Sequence, residues 1–397
     1  MNPTWKDLVR GVGRRFLHES DLILLGSMAL LLMVGVLMIY TATTPMADRV
    51  YGASWVLLRN HAVHLTIGLG ALLTGFLVPY PVWRRWVPLG LVLCLVALML
   101  VLIPGIGYQV GGARRWLRLG FMNFQPVELL KFVLIVYVAS NLDRKQDMMQ
   151  EFFRGVVPNL AVMGVFLSLV VLQPDFGSVV LIAFTLLLMI FAGGAKPGHI
   201  LGSLAAFGAL GGYLVMSQAY RAERVMAFLN PWRDRYDSGF QIVQSFLAFG
   251  SGGWFGNGLG ASRQKMFFLP DAHTDFIFSI LAEEMGLIGS LAVMALLAVF
   301  LWRAFRIALT VQDDFARGLS FGIATMLSFE VVLNLAVVMG LMPTKGLPLP
   351  FISYGGSSLM MTMFMTGVLL NTARRLRGRP AHSPRGSAPQ APARVHA

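Results

Sequence analysis

The sequence predicts an all-α polytopic integral membrane protein of about ten transmembrane helices, with a large extracytoplasmic loop between helices 7 and 8. Three observations predict it. Hydrophobic residues make up 56% of the chain against 13% charged, and mean hydropathy is +0.68, which leaves too little polar surface to solvate a globular protein of 397 residues. Apolar runs of bilayer-crossing length recur along the whole chain. Lys and Arg gather in alternate connections between those runs, as positive residues retained on the cytoplasmic side do.

The runs fall near residues 22–41, 62–79, 87–104, 127–141, 156–172, 177–193, 199–216, 276–302, 318–341 and 353–371. Each approaches the roughly 20 residues that cross about 30 Å of hydrocarbon. The first is followed only by a weak cleavage-site match, TAT at Thr41–Thr43, and is read as a retained helix, not a signal peptide. One alternating set of basic residues comprises Lys6, Arg10, Arg14 and Arg15, then Arg84 and Arg85, then Arg144, Lys145 and Arg154, then Lys196. It continues with Arg303, Arg306 and Arg317 and ends with Arg374, Arg375, Arg377 and Arg379. Both termini are therefore expected in the cytoplasm. The chain divides into a cytoplasmic segment 1–20, a membrane domain 21–375 with an outer loop 217–275, and a tail 376–397. After Arg379 the tail is rich in Pro, Ala and Ser without apolar period, the composition of a disordered segment.

The formal charge of +13 is mostly this topology signal, and no nucleic-acid partner is expected from it. Cys94, the single cysteine, excludes a disulfide or a thiolate metal site within one chain. More informative are basic residues on the outer side. The short connection 105–126 carries Arg114, Arg115 and Arg118 among Tyr108, Trp116, Phe121 and Phe124. Guanidinium groups beside aromatics at a membrane interface suit a phosphate or pyrophosphate, and equally an ordinary anionic lipid headgroup. The long outer segment adds Arg221, Arg224, Arg233, Arg235, Arg263 and Lys265.

Ionisable residues within the apolar runs are few and costly. Glu128 and Lys131, at i and i+3, share a helix face and can pair. Glu330 and Asn334, at i and i+4, form a second polar stripe, and Glu283 and Glu284 lie about two turns below Asp275. Structural pairing between helices and a proton or ion path both fit these residues.

Two irregular segments are flanked by helices. GSGGWFGNGLG holds six glycines between Gly250 and Gly260 and is no nucleotide loop, because neither a strand nor a GK[ST] accompanies it. MPTKGLPLPFISYGGSS, Met342 to Ser358, packs three prolines, three glycines and a lysine against the last helix. Irregular backbone at such depth is tolerated where protein buries it or a polar cavity is lined, so both segments are expected to wall one outward-facing cavity. The cluster Asp271, His273 and Asp275 ends against an apolar run, and there the chemistry is expected. Two carboxylates suggest an acid and a base for glycoside hydrolysis. A sugar linked to pyrophosphate needs only a base and a basic cradle, since its leaving group is already a stable anion. His273 could instead be the base, or could join both aspartates around a metal.

These residues also carry a resemblance. GARRWLRLGFMNFQPVELLK (Gly112–Lys131), YRAERVMAFLNPW (Tyr220–Trp232), the stretch from Gly239 to Phe278 and PTKGLPLPFISYGGSS (Pro343–Ser358) resemble the SEDS family (shape, elongation, division and sporulation). The resemblance covers residues from about 20 to 375, and is nearer the division and sporulation branches than the elongation branch. It implies ten transmembrane helices and a glycosyltransferase that polymerises lipid II into septal peptidoglycan in the cytoplasmic (inner) membrane of a bacterium. The family's essential acid maps onto Asp275, as the base that activates the acceptor hydroxyl for inverting attack with undecaprenyl pyrophosphate leaving. Arg114, Arg115, Trp116, Gln125, Glu128, Lys131 and His273 are implied to shape or charge the substrate cavity, and Lys265, Lys345 and Ser357 join them as candidates. No cofactor is implied to be required, and no protein metal site is assigned; a divalent cation, Mg or Mn, could assist at the pyrophosphate. The implied partners are lipid II and its undecaprenyl-linked glycan, a class B penicillin-binding protein of the FtsI type, division-complex proteins and membrane lipid. Val127 stands where the family usually has Ser, and Asp271 where it usually has Glu.

A lipid II flippase could use the same basic cavity and buried charges, but it should show inverted repeats and broken helices at the midplane, and no clear internal repeat is visible. A scaffold that only recruits the transpeptidase leaves the buried charges without a purpose.

Overall fold

The structure, a computed structural model, describes residues 21–378 apart from 54, 111, 119, 121, 122, 218–222, 224, 225, 238 and 266–272. The expected N-terminal segment and most of the expected tail lie outside the described residues. Helices α1 (Leu22–Tyr51), α2 (Val56–Leu77) and α3 (Tyr80–Leu102) are followed by strands β1 (Gly107–Val110), β2 (Ala113–Arg118) and β3 (Asn123–Phe124). Next come α4 (Pro126–Arg144), α5 (Val157–Leu172, entered through a short π-helical turn), α6 (Phe176–Ala192) and α7 (Pro197–Met216). The outer segment contributes α8 (Phe240–Gly252), and α9 (Ile277–Thr310), α10 (Asp314–Val338) and α11 (Gly356–Gly378) complete the described chain.

All ten apolar runs fall on helices. By length and composition alone, six helices among the described residues are suited to cross a membrane, with Phe176–Ala192 a shorter apolar one. Helix α4 carries Glu128, Lys131, Asp143 and Arg144 and is not among the six. Its charges are accommodated because it sits inside the bundle, where protein surrounds nearly every face: Leu130, Leu134 and Ile135 have no exposure. The α10 span is 67% buried against 17% for α3, so α4 and α10 are central and α3 borders the lipid.

Helices α2 and α11 run in the same direction in close contact. A Cβ at Gly75 would lie 2.4 Å from Phe364 O and one at Gly367 would lie 2.1 Å from Leu72 O, so only glycine admits this approach. Asn371 closes the pair, donating from Nδ2 to Phe76 O (2.6 Å) and accepting from the Tyr80 amide (3.0 Å). The three strands form an antiparallel sheet in the order β1–β2–β3, which the sequence reading did not expect; nor did it expect α8. An apolar recess of about 410 Å³ lined by Trp83, Val87, Phe132, Val133, Met361 and Phe364 holds none of the candidate residues.

Candidate active site

Asp275 sits one residue before Phe276, the N-cap of α9. That placement puts its carboxylate beside the positive end of the helix dipole. The surrounding turn is held by two elements distant in sequence. Asn334 of α10 donates from Nδ2 to Asp275 O (2.9 Å) and to Leu347 O (2.7 Å), so one amide ties the turn to the proline-rich segment 343–358. That segment adds Ser353 Oγ, which donates to Thr274 O (2.5 Å), and the Tyr354 amide, which donates to His273 O (3.0 Å). The rings of His273 and Tyr354 lie 5.7 Å apart. A Cβ at Gly346 would stand 3.0 Å from Asp275 Oδ2, so the chain passes directly against the carboxylate. Lys345, the next residue, is half-buried, and desolvation lowers its pKa from the ordinary lysine value. Asp271 lies outside the described residues.

Below this turn the expected pair of Glu128 and Lys131 exists and has a third member. Lys131 Nζ donates to Glu128 Oε1 (2.8 Å) and to Glu330 Oε1 of α10 (2.5 Å), with no part of the lysine exposed. One turn along α10, Asn334 holds Asp275, so the polar stripe on this helix connects the buried ions to the Asp275 turn.

The three-stranded sheet carries the arginine motif. Tyr108 pairs with Trp116 and Gln109 with Arg114 across β1 and β2, and the Arg118 guanidinium lies 3.7 Å from the Tyr108 ring centre. Arg114 and Trp116 are half-buried. Arg115, a candidate for shaping or charging the substrate cavity, turns to the α5–α6 junction. It donates to Gln173 O (3.2 Å) and to Pro174 O, and approaches Asp175 Oδ1 at 4.0 Å. Gln125 and Ser357 belong to the same knot. The Gln125 amide N–H donates to Ser357 Oγ (3.1 Å), Ser357 donates to Asn123 O (2.9 Å), and Gln125 Nε2 donates to Asp175 Oδ2 (3.3 Å). Asp175 also caps α6 through the Ser178 amide and hydroxyl. Sequence reasoning missed Asp175; its signal was Pro-Asp between two apolar runs, an N-cap pattern.

Lys265, expected among the ligand contacts, is buried and donates to Glu284 Oε1 (2.8 Å) and Gly260 O (2.6 Å). The pairing has a physical cause: an ammonium withdrawn from water needs a carboxylate, and Glu284 is within reach once the chain folds back on α9. The Gly-rich segment 250–260 packs against an interruption of α9 at Gly286, while the proline-rich segment flanks Asp275. Among the described residues no group of three or more His, Cys, Asp or Glu could hold a metal ion.

Residues 21–378 match the family of cell cycle proteins FtsW, RodA and SpoVE. The chain is 44% identical over 370 residues to a Geobacter sulfurreducens protein named "Probable peptidoglycan glycosyltransferase FtsW", covering 93% of this chain and 99% of that one. It is 42% identical over 358 residues to Stage V sporulation protein E of Bacillus subtilis, covering 90% and 97%. Among solved structures it resembles a chain from "Structural coordination of polymerization and crosslinking by a peptidoglycan synthase complex", with a TM-score of 0.74, 30% identity, and 91% and 99% coverage. It also resembles the rod shape determining protein RodA of Thermus thermophilus, with a TM-score of 0.64, 28% identity, and 91% and 98% coverage. With its multi-helix membrane architecture and a family match over residues 21–378, the chain belongs to the FtsW/RodA/SpoVE family, the SEDS proteins.

Proposed function

We propose that this protein is a peptidoglycan glycosyltransferase that polymerises lipid II for septal wall synthesis, with Asp275 as its general base. The observation that carries this reading is the Asp275 turn, held by Asn334, Ser353 and Tyr354 and lying against Gly346. A base must be held still to hold its substrate proton in reach, and hydrogen bonds from two independent elements do that. The names of its 44% identical relatives support the same reaction.

In this mechanism the Asp275 carboxylate takes the proton from the 4-hydroxyl of the acceptor sugar as that oxygen attacks C1 of the donor. The C1–O bond to the pyrophosphate breaks on the opposite face, so the centre inverts and undecaprenyl pyrophosphate leaves as an anion. Lys345, beside the base and half-buried, supplies positive charge there, and Arg114 and Arg118 of the outer sheet supply it at the headgroup level. Arg115, Gln125 and Ser357 shape the wall from behind. Any divalent cation at the pyrophosphate would be held chiefly by the substrate's own oxygens, and no step here is assigned to it. The partner is a class B penicillin-binding protein, a transpeptidase whose membrane helix packs on the bundle. A related chain's solved peptidoglycan synthase complex supports such pairing.

Purified lipid II given to the protein with its transpeptidase should yield glycan polymer. Absence of polymer together with lipid II crossing liposome bilayers would replace this reading with a transporter. A second expectation concerns pH. A lysine carries charge only below its pKa, and burial lowers that of Lys345 from the ordinary 10.5. Activity should therefore fall on the alkaline side earlier than for a free lysine. Lys345→Arg, whose guanidinium stays charged, should move that fall to higher pH; a pH–rate profile identical in both would remove Lys345 from charge neutralisation.

A further inference from the structure

Three buried charges on or against α9 take no part in the mechanism above: Glu283 and Glu284 of the helix and Lys265 beside it are 1%, 1% and 7% exposed. They surround the interruption of α9 at Gly286, whose φ of 67° and ψ of −168° deprive the backbone on either side of helical partners. The Gly-rich turn supplies them. Asn257 and Gly258 amides donate to the carbonyls of Glu283 and Glu284 (3.0 and 3.1 Å), and Leu287 and Ile288 amides donate to those of Gly253 and Trp254 (2.9 and 3.2 Å). Glycine is needed on both sides, since a Cβ at Gly256 would lie 2.1 Å from Glu284 O and one at Gly286 would lie 2.3 Å from Gly256 N. The turn replaces a missing piece of helix wall within a span where unpaired backbone is not tolerated.

Side chains then lock the returning chain, residues 262–265, to the same place. The Glu283 carboxylate accepts from Ser262 Oγ, from the Arg263 amide (3.0 Å) and from the Gln264 amide (3.3 Å), while Glu284 accepts from Lys265. The half-helix above the interruption, from Ile277 to Met285, carries Asp275 at its upper end. Asn334, Ser353 and Tyr354 tie that end; Ser279 ties the middle through Ser245, 2.8 Å away, which also donates to Val338 O at 2.6 Å. Beyond apolar packing, the hydrogen bonds and ion pair described for the lower end come from the Gly-rich turn and the segment that returns to these glutamates. A short rigid helix transmits a tilt at one end to the other.

We infer that Lys265 and Glu284 are positioning residues for the base: their ion pair, with the Glu283 contacts, sets the angle at which the half-helix presents Asp275. This rests on the assignment of Asp275 above. A displacement near 1 Å at a reacting group costs about a hundredfold in rate.

The test uses the full chain bound to its transpeptidase, with polymer formation followed against lipid II concentration, and hydrogen exchange of residues 274–280 measured without substrate. Lys265→Met and Glu284→Gln should each lower kcat about a hundredfold with KM within about twofold. The double variant, which removes both charges together and is the one expected to fold if a single variant does not, should lose no more than either alone. Lys265→Arg should recover most of the rate, and exchange of 274–280 should quicken in Lys265→Met. A raised KM with unchanged kcat in Lys265→Met would make Lys265 a ligand contact and overturn the inference, as would additive losses or unchanged exchange. If the native complex makes no polymer, the catalytic reading fails by itself, and the exchange arm still decides the positioning claim.

Discussion

Replacing Asp275 by Asn should lower glycan polymer formation by about a thousandfold or more while the protein stays folded and bound to its transpeptidase. The structure explains why the two effects separate. The contacts that hold the turn go to main-chain atoms, Asn334 to the carbonyl of Asp275, Ser353 to that of Thr274 and Tyr354 to that of His273. An amide of the same shape therefore keeps these main-chain contacts and removes basicity. Gel analysis of polymer from lipid II, with co-purification of the partner as the control for folding, reads both. Polymer made at the native rate by Asp275→Asn would sink the base assignment, and His273 would become the group to test next.

Lys131→Met should have the larger effect on stability. Lys131 has no exposure and bridges Glu128 and Glu330. Removing it leaves two carboxylates facing each other in the middle of the bundle, and breaking such buried pairs costs about 3–5 kcal/mol. The midpoint of thermal unfolding in detergent should fall sharply. Activity should suffer beyond the loss of folded protein, because Glu330 is one turn from the Asn334 that holds Asp275. A Lys131→Met protein with native thermal stability would mean that the triad contributes little to the fold and that its role lies in ligand handling.

Much of this molecule was legible in its sequence. The ten apolar runs fall on helices because hydrocarbon demands continuous apolar segments, a local property readable residue by residue. The Glu128 and Lys131 pair was legible for a similar reason: a spacing of i, i+3 places two side chains on one helix face whatever surrounds them. The HTD turn stood out because its charges end abruptly against an apolar run. The small outer sheet was not legible, since its strands are short and lie in a segment where arginines and aromatics spoke more loudly of the interface than of strand pairing.

For the candidate site the sequence named residues but not the groups they engage. Lys265, Arg115, Gln125 and Ser357 were expected to meet substrate and are engaged with Glu284, the α5–α6 junction, Asp175 and Asn123. Each of those partners is remote in the chain, and a sequence gives no measure of which remote group will satisfy a buried donor. By itself the sequence determined the class, the helices, the family and the acidic turn, because these depend on composition and on neighbours a few residues apart. Only the tertiary structure decided that Glu330 joins Lys131, that Asn334 holds Asp275 and that Lys265 is paired within the protein. Burying a charge or an amide is affordable only when a partner arrives from another element, and it is folding that chooses the partner.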